Sequence, residues 1–180
     1  SDNFMAEIPN FYCRKLSLVF SQGLRLETFR KFSRSNVVHL KAIYPQFFLP
    51  LSASSFIKPR AKLSLRLTSL NAAEFSRLLR VNIGHLHIEA DSYSKLSFIP
   101  SYAMSSPLSI LTILKIKQLD DAEVSYLSDF PKRMVLGIEK LTDQQAKTLS
   151  MMANRLTIIR TPALSPSSVS ILTKAGCHIK

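Results

Sequence analysis

A pattern of apolar and polar positions recurs along the chain with a spacing of about 22 residues. Residues 114–127 and 136–149 place their apolar side chains at equivalent points, and residues 65–78 have the same internal spacing. In each copy, apolar residues first alternate with other residues, which is typical of a strand with one buried face. They then recur at intervals of three to five, which is typical of a short helix with one buried stripe. The pattern therefore predicts repeated strand-and-helix units.

The end of each predicted strand carries a second repeated signal. The residues that follow the last apolar strand position are good helix N-caps, able to accept a hydrogen bond from a free amide of the first turn: Asn71, Asp120, Thr142 and Ser165. Three of these are followed, three residues later, by a partner for a capping box: Glu74, Glu123 and Gln145. In the fourth copy Pro166 occupies the first helical position, where its missing amide is not needed. The chain therefore predicts a helix directly after each cap.

Extension of this spacing in both directions predicts eight strands, which start near residues 16, 38, 65, 86, 114, 136, 156 and 177. The two longest intervals contain pairs of prolines, so we expect insertions there, the second of them near residues 96–109. A chain of 180 residues suits a single domain. In this domain, residues 1–62 are predicted to form degenerate N-terminal repeats or a cap, and residues 63–180 form the clearer repeats.

These repeats resemble those of the leucine-rich repeat family, in particular its bacterial variants. The best match is Leu141-Thr-Asp-Gln-Gln-Ala-Lys-Thr-Leu149, and the resemblance covers residues from about 63 to 180. It implies an α/β solenoid with a parallel sheet on one face and short helices on the other, since a single unit cannot bury its own apolar side. The chain departs from the family in the turn after the strand, where asparagine is typical. It has Ser69, Gln118 and Lys140 there instead.

Stacked units of this kind divide the side chains of a sheet between a core and an open face. The repeat predicts the following core residues: Leu67, Leu70, Leu78, Ile116, Leu119, Leu127, Ile138, Leu141 and Leu149. The intervening side chains are expected to line the open face, which the resemblance makes the default binding surface. Its candidate contact residues are Arg66, His85, His87, Ile113, Lys115, Lys117, Val135 and Glu139.

Aliphatic residues beside cations on this face predict a protein partner with an apolar centre and an acidic rim. Ile113 and Val135 are expected to supply the apolar contacts, and Lys115 and Lys117 the cations. In the alternative arrangement, the insertion that precedes Ile113 folds across the strands and covers both aliphatic side chains. The leading hypothesis is a non-catalytic protein–protein interaction module.

The charge of the chain adds a second hypothesis. The net charge is +12, and residues 1–80 carry 13 basic and four acidic side chains, against 11 and eight in residues 81–180. A basic N-terminal half of this kind can attract a nucleic acid, an anionic membrane or an acidic protein, and the open alternative is a solvated basic surface with no specific anionic ligand. The predicted strand face is not uniformly basic, which favours the protein partner over a nucleic acid.

No motif predicts an enzyme, a cofactor or a metal site. The four glycines are isolated, so there is no phosphate-binding loop. His85 and His87 can project from one face of a strand, but they have no neighbouring third ligand in the sequence. The carboxylates of Asp120 and Glu123 are accounted for by helix capping.

The sequence also predicts no membrane span, because the apolar stretch over residues 42–57 is interrupted by Pro45 and Pro50 and is too short. Cys13 and Cys177 are too few for a disulfide framework. They favour a reducing compartment such as the cytoplasm, and a secreted effector stays the open alternative. The identity of the partner and the oligomeric state also stay open.

Overall fold

The computed structural model describes residues 14–19, 38–44, 57–96, 104, 108–159 and 161–180. Within these ranges the chain forms one eight-stranded sheet, in which the strands follow the order of the sequence and every neighbouring pair is parallel. The strands are β1 (Lys15–Val19), β2 (His39–Tyr44), β3 (Ile57–Asn71), β4 (Asn82–Ser94), β5 (Ile110–Ile116), β6 (Arg133–Ile138), β7 (Leu156–Ile159) and β8 (His178–Ile179). The predicted parallel sheet is confirmed, and β3 and β4 are longer than the repeat predicted.

The described part of the chain contains four α-helices, each of which follows a strand: α1 (Ala72–Leu78), α2 (Asp121–Ser128), α3 (Asp143–Ser150) and α4 (Pro166–Lys174). A 3-10 turn, Ala153–Arg155, precedes β7. All four predicted N-caps accept a hydrogen bond from the amide three residues later, and the three predicted capping boxes are present. Pro166 lies in the first turn of α4 as predicted.

One face of the sheet forms the hydrophobic core. Leu63, Leu86, Leu111 and Met134 lie opposite one another on β3 to β6 and are fully buried. Buried side chains of all four helices belong to the same cluster, so the helices lie on this face. Every predicted core residue is buried, the most exposed being Leu141 at 8%. The alternate side chains of the strands therefore point to the opposite face, which we call the open face.

Polar side chains on the helix side link neighbouring units. The amide nitrogen Nε2 of Gln145 on α3 donates to the carbonyl oxygen of Leu119 in the preceding unit at 3.0 Å. One unit later, the hydroxyl of Ser168 on α4 donates to the carbonyl oxygen of Leu141 at 3.1 Å. Both side chains are buried. They satisfy carbonyl groups of the turn that follows the strand in the preceding unit.

The border that the sequence predicted between N-terminal and clearer repeats does not divide the sheet. β1 and β2 pair with β3 in the same sheet as the later strands. The border drawn between residues 62 and 63 falls inside β3. Most of the predicted insertion near residues 96–109 lies outside the described residues.

Candidate binding face

The open face carries its side chains in rows that cross the sheet, because the parallel strands align equivalent residues. The first row contains Lys15, His39, Lys62, His85, Ile110 and Arg133. The second row contains Ser17, Lys41, Ser64, His87, Thr112, Val135 and Thr157. The third row contains Ile43, Arg66, Glu89 and Leu114. Since all four described helices pack on the other face, none of them covers these rows.

The half of the open face formed by β1–β4 is basic. We define the basic patch by its charged and imidazole side chains: Lys15, His39, Lys41, Lys62, Arg66, His85 and His87. Lys41 and Arg66 are exposed, whereas Lys62 is half-buried. Glu89 is the one carboxylate in the described rows, and its hydrogen bond from Lys115 lowers the pKa of Glu89 below its usual range. The basic patch therefore lacks anions of its own to balance its cations.

Hydroxyl groups hold two of the three histidines in the basic patch. His39 Nε2 lies 2.8 Å from Ser64 Oγ, and His85 Nε2 lies 3.0 Å from Thr112 Oγ1. Burial lowers the pKa of all three imidazoles, and the positive charge of Lys62 is the second cause in each case. The pKa of His85 falls to about 4. At neutral pH the histidines of the patch are therefore uncharged.

The distance between His39 Nε2 and Ser64 Oγ is one that a catalytic base and a nucleophile can have. A catalytic pair also needs a third group that orients the base and donors that stabilise an oxyanion. No carboxylate of the described residues is hydrogen-bonded to His39. Ser64 lies in a strand that is paired on both sides, which engages the neighbouring backbone amides in the sheet. The equivalent pair of His85 and Thr112 indicates that the contact is a repeated structural feature.

The half of the open face formed by β5–β7 is aliphatic. We define the apolar patch by four half-buried side chains: Ile110, Leu114, Val135 and Ile159. None of them belongs to the core cluster or packs against it. Gly137 lies between β5 and β7 on this face, and a Cβ there would come within 3.1 Å of Leu114 Cδ2. The absence of a side chain at Gly137 thus leaves room for Leu114.

The prediction that Ile113 is an exposed contact is wrong, because Ile113 is completely buried in the core. The internal repeat predicted that Leu114 lies opposite Leu136 in the sheet, whereas Ile113 takes that position. The pairing of β5 and β6 is irregular between Ile113 and Ile116, and Lys115 adopts a positive φ of 63° there. The extra residue lets both isoleucines face the core and turns Leu114 to the open face.

Tyr93 holds this irregular segment in place. Its hydroxyl accepts a hydrogen bond from the amide of Ala90 at 2.9 Å and donates to the carbonyl oxygen of Leu114. Burial raises the pKa of the Tyr93 phenol, so the hydroxyl keeps its proton. Lys115 then reaches Glu89 as an ion pair. The bend in β5 therefore places both an aliphatic side chain and a cation at the open face.

The remaining predicted contact residues fall into two groups. Arg66, His85, His87 and Val135 belong to the rows of the open face. Lys117 and Glu139 are exposed but lie just beyond the ends of β5 and β6, where hydrogen bonds between the two chain segments continue past the strands. The structure thus brings together the first group and leaves the second at the edge of the sheet.

Several residues of the open face were missing from the prediction: Lys15, His39, Lys41, Lys62, Ile110 and Leu114. For β2 the signal was present, since alternation around the buried Leu40 and Ala42 puts His39 and Lys41 on the other face. For Ile110 and Leu114 it was not, because residues 110–114 are apolar at four of five positions and alternation cannot be read from them.

In the described ranges, no group of three or more His, Cys, Asp or Glu side chains is positioned to hold a metal ion. The same part of the chain contains no helix that is long and apolar enough to span a membrane. Comparison with protein-family models, with curated proteins and with solved structures gives no significant match.

Proposed function

We propose that this chain is a non-catalytic interaction module, a leucine-rich-repeat-like solenoid that binds a protein partner across its open face. The observation that carries the proposal is the continuity of the basic patch with the apolar patch. His85 and His87 on β4 lie in register with Ile110 and Thr112 on β5. A partner that extends from β2 and β3 across β4 to β5 meets cations on one side and aliphatic side chains on the other.

The solenoid part of the proposal is supported by the strictly sequential order of the strands and by the recurrence of a capped helix after a strand. The hydrogen bonds of Gln145 and Ser168 to the preceding unit add a polar link between units. Such a link fits a molecule in which each unit is stabilised mainly by its neighbours.

The chemistry of the two patches supports an amphipathic partner. Aliphatic side chains that are removed from water contribute affinity, whereas opposite charges mainly contribute specificity and the rate of association. We therefore expect acidic side chains of the partner opposite Lys41 and Arg66, and aliphatic or aromatic ones opposite Leu114 and Val135.

A photo-crosslinking amino acid tests this proposal, because it reports on one position at a time. Placed at Val135 or at Lys41, it should form discrete protein adducts in an extract of the source cells. Placed at Gln144, an exposed residue on the helix side, it should form none of those adducts. Equal adducts from both faces, or adducts from Gln144 alone, would contradict the proposal.

A second candidate function, nucleic-acid binding, is favoured by one observation, the clustering of Lys15, Lys41 and Lys62 on adjacent strands. Binding to a generic duplex or single strand would then weaken steeply with salt, since each phosphate contact releases counterions. Lys41→Met would lower the slope of log K against log salt by about one, as expected for a lost phosphate contact. The apolar patch would have no role in such a complex, so the protein partner explains more of the face.

A further inference from the structure

Lys62 lies at the centre of the basic patch. In the first row it is flanked by His39 on β2 and by His85 on β4. Its charge also acts on His87 in the second row. Adjacent strands lie about 4.8 Å apart, and alternate residues of one strand about 6.6 Å apart. The ammonium group and the three imidazoles therefore share one small area of the sheet.

Lys62 forms no ion pair with any residue in the described part of the chain. The charged and titratable groups on the same face of β1 to β4 are Lys15, His39, Lys41, Arg66, His85, His87 and Glu89. The only carboxylate among them, Glu89, is already paired with Lys115. The charge of a half-buried lysine among other cations and neutral imidazoles does not stabilise the folded state, so folding gives no reason for the charge of Lys62.

We infer that Lys62 and the three imidazoles around it form a binding subsite for a doubly charged oxyanion, a phosphate monoester carried by the protein partner, and that binding protonates at least one imidazole. The source of the anion rests on the proposed function. The ammonium group supplies a fixed charge and three hydrogen-bond donors. A neutral imidazole takes up a proton when a nearby anion favours its charged form, and it then adds a second positive charge to that of Lys62.

The number of charges favours a dianion over a carboxylate. A single carboxylate balances Lys62 and leaves no negative charge to stabilise a protonated imidazole. A phosphate monoester carries up to two negative charges and three acceptor oxygens. It can therefore accept hydrogen bonds from Lys62 and from a protonated His85 or His87 at the same time.

Sodium sulfate is the first probe, because it carries two negative charges throughout the pH range of the experiment. A phosphate monoester instead takes up a proton near pH ~6, which would add its own pH dependence. We expect the affinity for sulfate, measured by calorimetry at constant ionic strength, to rise about tenfold for each unit by which the pH is lowered, for each proton taken up on binding. In NMR titrations of the unmodified protein, sulfate should raise the pKa of at least one of the three histidines. If it raises none of them, the subsite is ruled out without recourse to any variant.

Lys62→Met keeps the aliphatic stem and removes the charge. We expect at least a ~10-fold loss of sulfate affinity from this variant. Lys174→Met, which removes an equal charge from an exposed position on α4, should leave the affinity unchanged. His85→Gln removes one of the three imidazoles, so it should weaken sulfate binding and reduce the gain in affinity at lower pH. An affinity that falls equally in the Lys62 and Lys174 variants would show screening by net charge and would overturn the inference.

The source of the anion is tested with N-acetyl-phosphoserine amide, N-acetyl-aspartate amide and vesicles that contain phosphoinositides. Stronger binding of the phosphoserine compound than of the aspartate compound supports the assignment, and a preference for vesicles alone contradicts it. Sulfate binding without partner adducts at Val135 would retain the subsite and reject the proposed function. Partner adducts without sulfate binding would retain the proposed function and reject the subsite.

Discussion

The polar side chains on the two faces of the sheet differ in how completely the fold accounts for them. On the helix side, Gln145 and Ser168 are buried and donate to carbonyl oxygens of the preceding unit. On the open face, Lys41, Lys62 and Arg66 form no ion pair with any described residue. The first group has hydrogen-bond partners in the fold, whereas the second group has no ion-pair partner among the described residues, although the charge of Arg66 helps to lower the pKa of Glu89.

The aliphatic side chains show the same contrast. Ile113 is fully buried in the core, whereas its neighbour Leu114 is half-buried on the open face and lies outside the core cluster. Because proteins rarely keep uncompensated charges and aliphatic side chains side by side for stability alone, the open face is where a function is to be sought. The polar side chains on the helix side instead connect neighbouring units by hydrogen bonds.

The largest difference between the two faces is expected for truncated leucines. Leu119→Ala removes a side chain that is 2% exposed, and we expect a loss of about 2–5 kcal/mol in the free energy of unfolding. Leu114→Ala on the open face should lose less than ~1 kcal/mol, since no cavity forms in the core. Urea denaturation measures both values. Equal losses would mean that another part of the chain covers the apolar patch.

Buried polar groups provide a second and smaller difference. Gln145→Ala leaves the carbonyl oxygen of Leu119 and the amide of Thr142 without their side-chain partners. We expect a loss of about 1–3 kcal/mol, the usual penalty for unsatisfied buried groups. Gln144→Ala on the same helix is the matched control, because Gln144 is exposed, and should change stability by less than ~0.5 kcal/mol. Similar values for the two variants would show that the polar link between units contributes nothing.

The helix side was also the part of the molecule that the sequence predicted best. Burial imposes a strict pattern, so the alternation of Leu65 and Leu67, the cap at Thr142 and the spine position of Leu119 could all be read directly from the repeat. The bend in β5 could not be read, because it depends on a hydrogen bond from Tyr93, a residue of another strand. Because this tertiary contact cannot be seen in the repeat, Ile113 was wrongly assigned to the open face.

The open face was predicted only in part for a different reason. Solvent-facing positions tolerate almost any residue, so no pattern distinguishes Lys62 from an ordinary surface lysine. Its significance depends on the register that puts it between His39 and His85, and that register depends on connections of unequal length. The predicted residues Arg66, His85 and His87 were found because they lie in the clearest strands.

Acid should weaken the protein through His85 on the open face. The unfolded chain takes up a proton on His85 near pH 6.5, whereas the folded protein does so only near pH 4. The unfolded state therefore binds more protons between these values, and the stability that is complete above pH 6.5 is lost as the pH falls toward 4. Denaturation midpoints measured across this range should decline with falling pH.

His85→Gln should flatten that decline, because glutamine keeps a hydrogen-bonding group for Thr112 without titrating. His178→Gln, at an exposed residue of β8, serves as the control and should leave the slope as it is. If the denaturation midpoint of both variants falls with pH as steeply as that of the unmodified protein, the pKa of His85 is not lowered in the folded state.

The smallest expected effect is also the most direct test of the contrast between the faces, and its sign matters more than its size. Lys41→Met removes an exposed cation that lies near Lys15, Lys62 and His87, so we expect unchanged stability or a gain of up to ~0.5 kcal/mol from reduced repulsion. Lys174→Met removes a cation from the last turn of α4, where it interacts favourably with the helix dipole, and should lose about 0.3–1 kcal/mol. Added salt should shrink both differences, because exposed charges are screened over about 8 Å at physiological ionic strength. A loss above ~1 kcal/mol for Lys41→Met would instead indicate that this cation has a structural partner. In that case the basic patch would belong with the helix side, as a group of side chains that the fold itself requires.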